Sequence, residues 1–68
     1  MNSSELLQLY QKVRELKLEH RDLDQAIRAL SEAPYVDQLQ MGRLKKRKLL
    51  IKDMLTRYES ELIPDLDA

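Results

Sequence analysis

Leu6, Leu9, Val13, Leu16, His20, Leu23, Ile27 and Leu30 step along the chain by alternating threes and fours. A stripe with a period of about 3.5 residues suits one face of a helix packed lengthwise on another helix. The rhythm breaks at Ala33-Pro34 and returns with Met41, Leu44, Lys48, Ile51, Leu55, Tyr58 and Leu62. Each stripe carries a polar interruption, His20 in the first and Lys48 in the second. The expected fold class is all-α: an antiparallel two-helix hairpin, coiled-coil-like, self-associating into a helical bundle.

Local signals set the boundaries of a single hairpin domain: helix 3–32, connection 33–37, helix 38–63 and a frayed tail 64–68. Asn2 is placed to cap the first helix, with Glu5 three residues on at the position that reaches back in a capping box. Pro34 disfavours the helical region for Ala33, which ends the first helix near there. Asp37 is the cap of the second, Gln40 its box partner, and Val36 and Met41 are spaced to staple the entry. Gly42 lies inside that helix as a tolerated glycine or a point of close backbone approach, and Pro64 stops it. A short connection makes the helices antiparallel, so facing residue numbers sum to roughly 70. Leu30 then meets Leu39 to Met41, Leu16 meets Leu55, and Leu9 meets Leu62. His20 falls near Ile51, and Asp22 to Asp24 fall near Lys46 to Lys48.

At 68 residues the chain makes one small domain with a thin core. A lone hairpin of this size is marginally stable, and self-association is the simplest remedy, so a homo-oligomer is expected. Leu50 and Met54 lie off the main stripe where a two-helix pair cannot cover them. With Leu55 and Tyr58 they form the candidate surface for an oligomer or a protein partner.

Composition narrows the function classes. Twelve basic and twelve acidic residues cancel, which favours neither nucleic acid nor a membrane surface. There is no cysteine, hence no disulfide or thiolate chemistry. No apolar run reaches the roughly 18 residues of a membrane span, and the polar start Met1-Asn2-Ser3-Ser4-Glu5 lacks a signal-peptide core. The expectation is a cytoplasmic protein with no membrane partner.

Two constellations stand out. His20 and Asp24, four apart on one helical face, can hydrogen-bond, and with Lys48 opposite they form a polar lock that sets helix register. A metal site there needs more ligands than cations opposite can supply, and Asp22 and Asp24 project about 200° apart on a helix. With one histidine, no thiol and no glycine-rich phosphate loop, nucleophile and base are not assembled. No catalytic residue, metal, cofactor or enzymatic activity is therefore expected. The second constellation is the basic run. Arg43, Lys45, Lys46, Arg47, Lys48 and Lys52 crowd the first half of helix two. They read as a solvated face paired across to Glu19, Asp22 and Asp24, or as contacts for phosphate or an acidic partner through Arg43, Lys45, Lys46, Arg47 and Lys52.

His20-Arg21-Asp22-Leu23-Asp24, Ile27, Leu30, Asp37 and then Leu44-Lys45-Lys46-Arg47-Lys48-Leu49-Leu50-Ile51-Lys52-Asp53 together resemble the YdcH-like family of small uncharacterised bacterial proteins. The match covers about residues 16 to 58. Its motif positions fall on His20, Asp24, Lys45, Lys46, Lys48, Lys52 and Asp53. The resemblance implies an all-helical hairpin in a bacterial cytoplasm and no established activity. The expected function is a non-enzymatic interaction module, self-associating and docking a protein partner. The alternative is a nucleic-acid- or phosphate-binding protein that uses the basic run 43–52.

Overall fold

The computed structural model describes residues 2–62, which form two helices, α1 over Ser3–Ser31 and α2 over Gln38–Leu62. The sequence expectation that helix two runs to residue 63, is stopped by Pro64 and leaves a frayed tail 64–68 concerns residues outside that range. Among the described residues there is no strand.

Both helix starts are capped by the expected side chains. The Glu5 backbone N–H donates to Asn2 Oδ1 at 2.8 Å, and the Leu39 and Gln40 N–H groups donate to Asp37 Oδ1 at 3.0 and 3.1 Å. Each cap thus satisfies donors that the helix itself leaves orphaned. The reciprocal half of each capping box, from the Glu5 and Gln40 side chains, is not formed. The capped ends are exposed, so water serves those backbone groups and the reciprocal bond adds little. α1 ends one residue before the expected position 32. Its last turn tightens as Ala33 N–H donates to Leu30 O at 3.2 Å, and Pro34 lies just beyond.

The seam is narrow. Val13, Leu16, Ile51 and Leu55 form one buried cluster, with Leu23, Met54, Tyr58 and Leu62 packed against it. Ile51 has no exposed surface at all. Leu16 and Leu55 share this cluster, as the antiparallel register requires. Leu39 departs from expectation: it is 66% exposed, whereas Met41 is buried. Two residues turn a helix by about 200°, so only one of that pair can point inward. Around Gly42 the space where a side chain would begin is open, so within one chain it is a tolerated helix glycine and not a point of backbone approach.

The two helices lie side by side as a plank of 50 × 26 × 15 Å. Its radius of gyration is 15.5 Å, against about 11 Å for a compact domain of this length. The hairpin therefore has two broad faces, and each presents side chains from both helices.

Candidate functional site

Arg47 and Lys48 are consecutive on α2, and a helix rotates consecutive residues by about 100°. They accordingly straddle the seam and find different acids on α1. Lys48 Nζ donates to Asp24 Oδ1 at 2.6 Å, a half-buried pair. Arg47 Nε donates to Glu19 Oε2 at 3.0 Å, with a second guanidinium nitrogen at 2.9 Å. A third cross-helix pair, Lys17 to Glu59 at 3.4 Å, closes the seam farther from the connection. Spacing had not singled out this pair, because its numbers sum six above the expected register. These contacts fix which residues face each other, and register is the use of polar seam groups with the best physical precedent.

Asp24 is the hub of the polar seam. Lys48 takes Oδ1 and the Arg28 guanidinium lies 3.4 Å from Oδ2. The hydrogen bond and charge of Lys48 hold the Asp24 carboxyl below the ordinary 3.8, with smaller help from Arg28 and His20 and some opposition from burial. A carboxylate whose folded value is depressed contributes stability that is complete above the unfolded value. That contribution disappears as pH falls through the lower folded value. Acid titration followed by circular dichroism should therefore show wild-type helicity giving way below about pH 3.8, with a shallower loss over that window in Asp24→Asn. Identical acid limbs in the two proteins would remove Asp24 from the account.

His20 does not occupy the place the sequence suggested. It makes no hydrogen bond to Asp24, whose two oxygens are already engaged. Its Nε2 is shut off from solvent and has no hydrogen-bond partner among the described residues. The charged group at this point of the seam is thus Lys48, Asp24 and Arg28, and His20 does not join it by a hydrogen bond. A buried polar atom left unpaired costs about 1–3 kcal/mol.

The candidate partner surface also divides. Leu50 is 49% exposed and available. Met54 and Tyr58 are half-buried, packed on the core. Leu55 is 9% exposed and belongs to the core itself, so it is withdrawn from the surface: its place in the seam stripe turns it toward Leu16.

The basic run splits into two flanks. Lys45, Leu49 and Lys52 recur by four and three on one side of α2, where with Lys48, His20 and Ile27 they line a groove of about 420 Å³. Arg43, Lys46, Arg47 and Leu50 line a separate depression on the other side. Arg47 and Lys48 are committed to acids across the seam, whereas Arg43, Lys45, Lys46 and Lys52 have no carboxylate within ion-pair distance among the described residues. Sequence reasoning passed over Leu49, which is 69% exposed. Its spacing with Lys45 and Lys52 was the available signal. Among the described residues Asp22 pairs only with its neighbour Arg21, at 3.9 Å on the surface. Among the described residues no three His, Cys, Asp or Glu side chains gather as a metal set would, and no helix is long and apolar enough to cross a membrane.

Fold and site together define a class: an antiparallel helical hairpin zipped by cross-helix ion pairs, with a basic segment on its second helix. The chain belongs to the family described as protein of unknown function DUF465, whose model matches residues 13–59. That span holds every ion-pair residue of the seam and the whole basic run. No curated protein and no solved structure matches the chain.

Proposed function

We propose that the hairpin is a non-enzymatic interaction module that self-associates and docks a protein partner, in a bacterial cytoplasm as the YdcH-like resemblance implies. The observation that carries this reading is the balance of apolar side chains. Five hydrophobic residues are buried, while nine large ones, among them Leu7, Leu18, Leu39, Leu49 and Leu50, stay exposed among the described residues. A domain of this size gains most by covering such groups against a neighbour. Leu50 is the centre of the proposed surface, as an exposed leucine four residues before Met54, which with Tyr58 packs on the core cluster.

Sedimentation equilibrium tests it. The wild type should weigh more than the 8.1 kDa of one chain. Leu50→Glu and Met54→Glu each place a charge where water is to be excluded. Each should weaken association about thirtyfold, corresponding to about 2 kcal/mol. A wild type that remains monomeric at several hundred micromolar, or variants whose mass equals that of an associated wild type, would refute the assignment of this surface.

A further inference from the structure

The groove on the Lys45–Lys52 flank combines walls from both helices with lysines that have no carboxylate partner among the described residues. The depression at Tyr10, Val13, Lys17, Glu59 and Leu62 shares the first feature but lacks the second, because its Lys17 is paired with Glu59. The depression beside Leu18 is lined by α1 alone and the one beside Leu50 by α2 alone. The groove of about 420 Å³ has walls from both helices: His20 and Ile27 from α1, and Lys45, Lys48, Leu49 and Lys52 from α2. Its cations are spaced by three and four, so they stack along one side of α2 over two turns and repel one another. Lys45 and Lys52 have no carboxylate partner among the described residues. Lys48 is held in place by Asp24, which occupies one of the three ammonium donors and leaves two. Between these cations lie Leu49, most of whose side chain meets solvent, and Ile27.

We propose that this groove binds a phosphoryl group carried on an apolar body. Lys45 and Lys52 meet the phosphate oxygens from either end, and Lys48 contributes its remaining donors from a fixed position. Leu49 and Ile27 receive the apolar part, and the His20 imidazole closes the wall on the α1 side. The position of Lys48 is set before any ligand arrives, because the Asp24 pair that locks the seam also locks its ammonium. A diffuse cation cloud lacks this feature; the opposite flank also holds a fixed cation, Arg47 on Glu19, but no α1 residue lines the depression there to receive an apolar body. An anion here offsets the charge of Lys45 and Lys52, which no carboxylate of the described residues does.

The test is an amide-resonance titration of the full chain with inorganic phosphate and with hexyl phosphate, against sodium chloride at matched ionic strength. Saturable shifts confined to His20, Ile27, Lys45, Lys48, Leu49 and Lys52 are expected, with hexyl phosphate the tighter of the two. Affinity should fall steeply as salt rises. The double variant Lys45→Gln/Lys52→Gln should bind at least about tenfold more weakly, while Leu49→Gln should abolish the preference for hexyl phosphate and spare inorganic phosphate. Vesicles of phosphatidylcholine with phosphatidic acid distinguish the source: co-sedimentation that the double variant loses assigns a lipid headgroup, and its absence beside hexyl phosphate binding assigns a soluble phosphate. Shifts matched by chloride, shifts extending equally to Arg43 and Lys46, or an unaffected double variant would overturn the proposal. None of these substitutions touches Leu50, so this outcome is read independently of the mass measurements.

Discussion

Ile51→Ala should destabilise the hairpin by about 2–4 kcal/mol, more than any single truncation elsewhere on the molecule. Among the described residues Ile51 is the one side chain with no exposed surface, and it lies in the cluster with Val13, Leu16 and Leu55. Removing its outer carbons forfeits their burial and leaves a void, which helices pinned on both sides by ion pairs cannot fully close. In a domain this small a loss of that size is comparable to the whole folding free energy, so the cooperative thermal transition should move far down or vanish. Ile51→Val, which removes a single methyl, should cost about 0.5–1.5 kcal/mol, and Leu39→Ala, on an exposed site, should fall within about 0.5 kcal/mol of wild type. Urea unfolding of the three variants is the check. If Ile51→Ala costs no more than Leu39→Ala, the cluster around Ile51 is not what holds the helices together.

His20→Leu should act in the opposite direction, raising stability by about 1–2 kcal/mol. The imidazole sits partly buried at a position that seven other residues of its stripe fill with apolar side chains. Its Nε2 is shut off from solvent and has no hydrogen-bond partner among the described residues. Leucine is of similar bulk, removes that unpaired nitrogen and adds apolar area beside Ile27. The loss of the modest attraction between His20 and Asp24 is a smaller effect, since Lys48 and Arg28 hold Asp24 directly. The same substitution takes a polar group out of the seam and should broaden the distribution of oligomeric states. Thermal melts and sedimentation together read both effects. A melting temperature well below wild type would show that the imidazole has an essential charged partner.

Much of the seam was legible before any coordinates. The three-four rhythm identified both helices, Pro34 located the bend, and the antiparallel sum placed Lys48 opposite Asp24 and Leu16 beside Leu55. What spacing could not decide was competition. His20 and Asp24 are near enough in sequence to bond, yet Asp24 has two oxygens, and Lys48 and Arg28 bring full charges to them. Spacing likewise left Leu55 with two incompatible roles, in the seam and on the surface, and burial resolves this in favour of the seam. The groove walled by His20, Ile27 and Leu49 escaped notice because it exists only once the helices lie side by side, and it joins two residues of the first stripe to one that lies off the second.

A thickness of 15 Å is hardly more than one helix with its side chains. Extending both arms of such a raft by further turns would add interior and perimeter in equal proportion, so the ratio of covered to wetted carbon is set by the cross-section and not by chain length. Growth along its axis therefore gains nothing in compactness, and only a second layer laid across a broad side would alter that ratio.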